Sequence, residues 1–235
     1  MSKLIGTIKE INLYPVKSMR GISVNQADCY WYGLNGDRKH AFIKKGKQAG
    51  FPWLTARDYP ELLLYKAHFT DTKNPLSSDI KIETPSGKQF ALASASLRNA
   101  LTKSSGLECE LIKLNRGTYD CMPISIMTTA TLKKLQELLG SLFDKQRFRY
   151  NILIESDASD ETLLSKSLQL GNTACVYINY PTQRCQIVNL SPRTAESEPN
   201  ILKQLSQNMN ACAGVYASFK QPGSICTNDK VFLKE

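Results

Sequence analysis

The sequence predicts a mainly β protein with a few helices, an α+β fold whose two halves pack together. Short strand-like runs rich in β-branched and aromatic residues recur along the chain, interrupted by Gly, Pro and Asn. Two longer stretches instead carry apolar residues at helical spacing. The 235 residues are 42% hydrophobic, which suffices for one large core or two small ones. Since no repeat or low-complexity linker interrupts the chain, we expect an antiparallel β half over 1–117 to pack against a second half over 118–235 that is a β-barrel or sheet with helices.

The N-terminal half is predicted to consist mostly of antiparallel strands. "KLIGTIKEINLYPV", "GISVNQADCYWYG" and "KHAFIKK" are its first β-rich runs, and "LLLYKAHF", "DIKIETP" and "KQFALA" continue the pattern. "SASLRNALTKSSG" then indicates a short helix, and "ECELIKL" a further strand. Such a series of short strands with turns is typical of a sheet or small barrel.

Two helices are predicted in the second half. In "TTATLKKLQELLGSLF", Thr128 or Thr129 can cap the helix. In "EPNILKQLSQNMN", Ser197 is the expected cap and Gly214 the expected stop. The apolar faces of the two helices are Leu132, Leu135, Leu139 and Leu142 in the first, and Ile201, Leu202, Leu205 and Met209 in the second.

Strands are predicted around these helices. They are "FRYNILIE", "SLQLGN", "ACVYINYP" with a turn at Pro181, "RCQIVNL" and "DKVFL". The second half is therefore expected to be a β-barrel or sheet decorated by helices.

The chain is basic, with 30 Lys and Arg against 21 Asp and Glu, a formal charge of +9. This charge favours anionic partners, among them phosphorylated cofactors, acidic proteins and nucleic acid. The basic residues are scattered, and no helix-turn-helix, zinc-finger spacing or aromatic RNA-binding motif is present. We therefore expect no nucleic-acid partner, although a basic module that binds nucleic acid or an acidic protein remains an alternative.

Cysteine usage and hydropathy bear on the compartment. The seven cysteines are an odd number and widely spread, and the N-terminus "MSKLIGTIKE" lacks an apolar signal segment. Reduced thiols in the cytoplasm are the simpler interpretation. No continuous apolar run approaches the roughly 18 residues of a membrane span, so no membrane association is expected.

Common catalytic motifs are missing. There is no GxGxxG loop, P-loop, HExxH or GxSxG, and no CxxC pair or close cysteine spacing for an iron–sulfur cluster or structural zinc. His40 and His68 lie far apart in strand-like runs, which disfavours a histidine acid–base pair. Any redox centre must therefore come from a bound cofactor.

Cationic and polar residues next to turns are what the sequence offers instead. Each of them could be an exposed surface charge. Together they suit an anion cradle, because a phosphorylated ligand needs Arg forks, a Lys charge and amide donors from several segments. A thiol among arginines is also a better metal ligand or nucleophile, although Cys185 could equally be a buried packing residue. The set is Lys17, Ser18 and Arg20; Arg38; Arg147, Arg149 and Asn151; and Arg184 with Cys185.

Five segments in this order, "LYPVKSMRG", "GLNGDRKHAF", "LTARDYPEL", "FRYNILIE" and "QRCQIVNLSP", resemble a MOSC N-terminal β-barrel domain followed by a MOSC domain. This family includes the mitochondrial amidoxime-reducing component and its bacterial relatives. The resemblance implies a molybdenum cofactor (Mo-molybdopterin) between the two halves, with Cys185 as the metal ligand. It also leaves pyridoxal phosphate binding open. The residues it implies around the cofactor are Lys17, Ser18, Arg38, Cys121, Met122, Arg149, Asn151, Arg184 and Tyr216.

The activity implied by the resemblance is molybdenum-dependent reduction of small N-hydroxylated compounds by two electrons, which yields an amine or amidine and water. Because no ferredoxin-like domain follows "DKVFL", we expect a separate electron-donor protein, a flavin reductase or an iron–sulfur or haem carrier. The alternative is a non-redox molybdenum-cofactor or sulfur carrier in which Cys185 holds a persulfide. The metal content of the purified protein would distinguish the reductase from the carrier.

Overall fold

A computed structural model describes residues 2–46, 51–115 and 117–234, and strands dominate it. The strands are β1 (Lys3–Leu13), β2 (Ile22–Val24), β3 (Gln26–Tyr30), β4 (Gly33–Leu34), β5 (His40–Lys44), β6 (Lys66–Phe69), β7 (Ile80–Glu83), β8 (Gln89–Ala91), β9 (Cys109–Lys113), β10 (Ile124–Thr128), β11 (Ile152–Glu155), β12 (Ser167–Leu170), β13 (Ala174–Gln183), β14 (Cys212–Gln221), β15 (Gly223–Cys226) and β16 (Lys230–Lys234).

Helices are short and few by comparison. The α-helices are α1 (Ala95–Ser105), α2 (Thr129–Leu139) and α3 (Asn200–Met209). Single 3₁₀ turns cover Pro60–Leu64, Gly140–Leu142, Lys145–Phe148, Asp160–Leu163 and Gln186–Asn189. Within the described residues, no helix has the length and apolar character that crossing a membrane requires.

Seven strands close into a barrel in the order β11-β10-β14-β13-β12-β16-β1, and the pairing of β1 with β11 completes it. All neighbours are antiparallel except β10 and β11. The strand β1 pairs with β16 at its start and with β11 in its middle, where Ile11 lies opposite Ile152. The first strand of the chain therefore completes a barrel built from the C-terminal half.

The rest of the N-terminal half forms three small sheets, β15-β3-β4, β5-β9 and β6-β7-β8. Because β15 comes from the end of the chain and β1 from its start, the two halves exchange strands. The expected α+β class, a β-barrel-like N-terminal part packed against a second barrel, is confirmed. The boundary at residue 117 stays a prediction.

One continuous core joins the two halves. It includes Phe42 and Leu97 from the N-terminal part and Ile126, Ile154 and Val215 from the barrel, all 2% exposed or less. Each such side chain contributes about 1.5–3 kcal/mol by leaving water. A second cluster packs α2 and α3 on the outside of the barrel through residues such as Leu135 and Leu205. The halves are thus held together by shared strands and a shared core.

The predicted helices form, with two corrections to their ends. Ser94 caps α1 and Gly106 ends it in a left-handed conformation, and Thr128 caps α2 by accepting from the Thr131 N–H at 3.3 Å. Ser197 does not cap α3. Instead Asn189, from a preceding turn, accepts from the Leu202 N–H at 2.8 Å.

The predicted stop of α3 is also wrong. The helix ends at Met209 because Asn210 adopts a left-handed φ of 50°. Gly214 lies inside β14.

Several predicted strand limits are wrong as well. The first three residues of "LLLYKAHF" belong to the 3₁₀ turn Pro60–Leu64. In "FRYNILIE" the strand starts only at Ile152. Pro181 is not in a turn but within β13, which continues to Gln183 through a pairing irregularity. "RCQIVNL" is a 3₁₀ turn, Gln186–Asn189. The strands β10 and β14 were not predicted.

Candidate functional site

A cleft of about 310 Å³ lies where the N-terminal part meets the barrel, and two cysteine thiols line it. We call it the thiol cleft. Its lining comes from both halves of the chain and combines cationic, thiol and aromatic side chains. The residues that line it are Lys17, Ser18, Arg38, Phe51, Thr55, Arg57, Asp120, Cys121, Ser125, Arg147, Phe148, Arg149, Thr182, Gln183, Arg184, Cys185, Ile187, Val188 and Tyr216.

Arg38 connects the two halves beneath the thiol cleft. Its Nη1 donates to Asp37 at 2.7 Å and to Asn151 Oδ1 at 2.9 Å, and its Nη2 donates to the Arg149 carbonyl at 3.0 Å. Its Nε lies 3.0 Å from Asp120. Each of the three nitrogens of this guanidinium faces an acceptor of the protein, so Arg38 organises the site more than it offers charge to a ligand.

Burial and charge act in opposite directions on this network. Burial raises the pKa of Asp37, while Arg38 and the Tyr14 N–H favour its ionised form. Burial lowers the pKa of Arg38, but Asp37 and Asp120 outweigh this effect and hold it above its ordinary value. Burial also raises the pKa of Asp120, yet Arg38 and Lys17 outweigh it and the pKa lies below its usual range.

Tyr14 separates two guanidiniums. The Arg38 Cζ lies 4.6 Å and the Arg149 Cζ 4.3 Å from the centre of its ring. The ring also lies on Gly21, where an added Cβ would be 2.4 Å from a ring carbon. Because burial raises the pKa of Tyr14, its hydroxyl stays neutral and donates to the Tyr150 carbonyl at 3.1 Å.

The Arg149 guanidinium contacts the protein mainly through the Tyr14 ring. Among the described residues, no carboxylate lies within 4.0 Å of its guanidinium and no acceptor forms a hydrogen bond with it. It follows the 3₁₀ turn Lys145–Phe148 in a left-handed conformation with φ 47°. Burial lowers the pKa of Arg149 because the charged guanidinium is removed from water. An anion bound in the cleft would offset this desolvation cost by pairing with the guanidinium.

Arg184 is held by backbone carbonyls. Its Nε donates to Ala213 at 2.8 Å, its Nη1 to Phe148 at 2.6 Å, and its Nη2 also donates to Ala213. This approach depends on Gly214, where φ is +82° and an added Cβ would lie 3.0 Å from Arg184 Nη2. Arg184 therefore fixes the segment that carries Cys185.

Cys185 is exposed and immediately precedes the 3₁₀ turn Gln186–Asn189. Val188 of this turn packs into the cluster beneath α2 and α3, whereas Ile187 packs with Ala56, Leu63 and Leu190. Packing on both sides of the turn leaves the thiol of Cys185 in the cleft. The interpretation of Cys185 as a buried packing residue is wrong.

The remaining cysteines divide by burial. Cys29, Cys109 and Cys175 are buried, and burial together with Asp28 raises the pKa of Cys29 to about 12. Cys212 and Cys226 are half-buried and do not line the thiol cleft. Cys121 is exposed and does line it.

Lys17 and Ser18 approach from the loop after β1. The Lys17 Nζ donates to the Tyr119 carbonyl at 2.7 Å, and burial lowers its pKa although Asp120 opposes this. Ser18, Arg38 and Arg149 all have left-handed backbones, with φ of 66°, 44° and 47°. Non-glycine residues in this conformation cost free energy and cluster at functional sites.

The thiol cleft gathers most of the residues named from the sequence, but Asn151, Met122 and Arg20 do not line it. Asn151 is fully buried beneath it, where its Oδ1 accepts from Arg38 and from the Ser125 N–H. Three residues that build the site, Tyr14, Asp37 and Asp120, were missed, although Tyr14 and Asp37 lie inside quoted segments and Asp120 directly precedes Cys121.

A second cavity, also about 310 Å³, adjoins the thiol cleft, and we call it the side pocket. The two cavities share Arg147, Arg149 and Ile187. Arg20, predicted to join the anion cradle, lines the side pocket instead. The other residues that line it are Glu10, Asn12, Tyr14, Gly21, Ser23, Leu63, Lys145, Gln146, Tyr150, Leu190 and Pro192.

Comparisons with known proteins agree with this architecture. The chain is 25% identical to mitochondrial amidoxime reducing component 2 of Macaca fascicularis, in a match covering 97% of this chain and 83% of that protein. It is 24% identical to mitochondrial amidoxime-reducing component 1 of Homo sapiens with the same coverage. A crystal structure of the YUAD protein from Bacillus subtilis shares the fold, with a TM-score of 0.54, 12% identity, and coverage of 99% of this chain and 98% of that one.

Two family models match the chain and overlap. The model of the MOSC N-terminal beta barrel domain matches residues 5–133, and that of the MOSC domain matches residues 89–232. Each covers more than half of the sequence, and together they span both cavities. The chain therefore belongs to the MOSC domain family and includes the MOSC N-terminal beta barrel domain.

Proposed function

We propose that this protein is a molybdenum-cofactor-dependent reductase of N-hydroxylated compounds that receives electrons from a separate protein. The observation that supports it most is the thiol cleft itself. An exposed thiol, Cys185, lies in one cavity with the ammonium of Lys17 and with the guanidinium of Arg149, which has no ion-pair partner among the described residues. The membership of the chain in the MOSC family and its similarity to amidoxime reducing components support the same proposal.

The donor set of the cleft fits this cofactor. Within the described ranges, no three His, Cys, Asp or Glu side chains are grouped so that they could hold a metal ion. A metal bound here would need most of its ligands from a cofactor, and a thiolate suits molybdenum coordinated by other sulfurs. Phosphorylated pterins are also anionic, which matches the cations of the lining.

The residues of this chain would bind and orient the group. Cys185 would be the metal ligand, and Arg149, Lys17 and Ser18 would face its anionic part. Arg38 and Asn151 would act through Arg149, whose carbonyl Arg38 holds. When bound, the molybdenum cofactor supplies the two-electron reduction of the N–O bond.

The overall reaction balances with an external reductant. A hydroxylamine, R–NHOH, takes up two electrons and two protons to give R–NH₂ and H₂O, and an amidoxime likewise gives an amidine and water. We infer that the electrons arrive from a flavin reductase with an iron–sulfur or haem carrier.

Metal analysis followed by turnover tests this proposal. Protein purified from a host that makes the cofactor should contain molybdenum and pterin near one equivalent. It should reduce benzamidoxime with reduced viologen as donor and show negligible turnover with NADH alone. Folded protein without molybdenum from such a host would contradict the proposal, and so would rapid turnover with NADH alone.

A non-redox sulfur carrier is the second candidate, because two exposed thiols, Cys185 and Cys121, line one cleft. In that case Cys185 would carry a persulfide, and cyanide would release thiocyanate from the purified protein. Thiocyanate release without bound molybdenum would favour the carrier over the reductase. The Cys121→Ser variant is the matched control, since it keeps one thiol in the cleft.

A further inference from the structure

The side pocket contains positive charge that the described residues neutralise only in part. Four cations line it, Arg20, Lys145, Arg147 and Arg149, against a single carboxylate, Glu10. Both oxygens of Glu10 are already engaged. Lys145 pairs with Oε1, and the Tyr150 hydroxyl donates to Oε2 at 2.9 Å.

Two of these cations remain available for a ligand. Within the described ranges, neither Arg20 nor Arg149 has a carboxylate within 4.0 Å or a side-chain hydrogen bond. Arg147 is engaged through its Nη atoms with Asn189 O at 3.1 Å and Glu198 at 3.5 Å, but its buried Nε has no partner among the described residues. Buried polar groups without partners are uncommon in folded proteins and point to a missing ligand or water.

One wall of the pocket is apolar. Leu63, Ile187, Leu190 and Pro192 line it. A volume of about 310 Å³ is at the lower end of the range for small-molecule pockets. The pocket therefore suits a small molecule with a planar anion at one end and an apolar body.

The position of the pocket connects it with the thiol. Ile187 lines both cavities and belongs to the 3₁₀ turn that directly follows Cys185. Arg149 also lines both. A ligand in the side pocket would therefore lie next to the thiol cleft, in reach of the residues that line both cavities.

We propose that the side pocket binds the non-reacting end of the substrate, and that this end is an organic carboxylate on a small apolar body. The role of this ligand as the substrate rests on the proposed function, whereas the binding of a carboxylate in the side pocket does not. Guanidinium groups recognise carboxylates through paired hydrogen bonds, and the apolar wall would cover the body of the molecule.

Binding of benzoate and of neutral benzamide to the full-length protein, measured by calorimetry or NMR titration, tests the pocket. Benzoate should bind at least about ten-fold more tightly, as expected for one charge-assisted contact. Arg20→Gln should remove about this ten-fold preference. Arg98→Gln is the matched control, because Arg98 lines neither cavity and should leave the preference unchanged.

A second variant, Ser23→Asp, keeps the pocket testable if Arg20→Gln does not fold. Ser23 is exposed and lines only the side pocket, so Ser23→Asp adds a carboxylate there without disturbing the core. It should weaken benzoate binding and leave benzamide binding within about two-fold. Equal binding of benzoate and benzamide to the wild type would overturn the inference, as would no change in either variant.

Turnover of two amidoximes, one with and one without a carboxylate, tests whether the side pocket binds the substrate. The ratio of kcat/KM for 4-carboxybenzamidoxime to that for benzamidoxime should fall about ten-fold in Arg20→Gln. Protein that contains molybdenum but shows no preference for the carboxylate would contradict this inference alone. Protein that binds benzoate but never contains molybdenum would contradict the proposed function alone.

Discussion

The thiol cleft and the side pocket have the same volume and share three residues, yet they use their charges differently. Beneath the thiol cleft, Arg38 donates to Asp37 and Arg184 to backbone carbonyls. In the side pocket, Arg20 has no such partner among the described residues. Arginines that look equivalent in the sequence therefore divide into those that build the site and those that face a ligand.

Replacing a thiol of the cleft should have the largest effect on activity. Cys185→Ser offers molybdenum a hard hydroxyl in place of a soft thiolate, so reduction of benzamidoxime should fall to background. Cys121→Ser should retain measurable turnover, and both variants should still bind benzoate in the side pocket. Wild-type turnover by Cys185→Ser with molybdenum bound would assign the metal to another ligand.

Carboxylates under the two cavities should differ in their contribution to stability. Asp37 is fully buried with Arg38, so Asp37→Asn should lower the free energy of unfolding by about 3–5 kcal/mol. Glu10 pairs with Lys145, whose side chain is 44% exposed, and Glu10→Gln should cost about 1 kcal/mol or less. Urea denaturation measures both, and equal losses would mean that Asp37 is not a structural centre of the cleft.

The cation shared by the two cavities should control cofactor affinity. Arg149→Ala removes a charge-assisted contact of about 1.5–3 kcal/mol, so cofactor occupancy should fall as expected for a ten-fold or greater loss of affinity. Arg98→Ala, in α1 and remote from both cavities, is the control. Molybdenum and pterin analysis of the two purified variants gives the answer, and equal occupancy would remove Arg149 from the cofactor site.

A smaller effect concerns acid stability. Because the pKa of Asp120 is lowered in the fold, its ionised form stabilises the protein above the unfolded value of about 3.9, and this is lost as the pH falls through the folded pKa. Asp120→Asn should therefore be less stable than wild type at pH 7, by about 1 kcal/mol or less. The difference in unfolding free energy should shrink as the pH falls below about 3.9 and through the lowered pKa of Asp120, and a constant difference would contradict this assignment.

Local patterns predicted part of the fold, and tertiary packing determined the rest. The helix α1 was recognisable because Ser94 and Gly106 mark its ends. The strand β10 was not, because all five of its residues are buried and no alternation is left to recognise. The strand β14 contains Gly214, a residue that usually indicates a break.

The candidate site shows the same limit. Adjacent motifs indicated Arg38 and Cys185, but the partnership of Arg38 with Asp120 joins segments 82 positions apart and leaves no local signal. The segment after Cys185 has the composition of a strand. It becomes a 3₁₀ turn because Ile187 and Val188 pack into different clusters.

X-ray absorption tests most directly whether Cys185 is the molybdenum ligand. It measures the sulfur coordination of molybdenum in the wild type and in Cys185→Ser. We predict that the wild type contains molybdenum and that the molybdenum bound to Cys185→Ser has one sulfur neighbour fewer. Cys121→Ser should match the wild type. An unchanged sulfur count in Cys185→Ser would show that this thiol is not the ligand. Wild-type protein without molybdenum would contradict the proposed binding of the molybdenum cofactor.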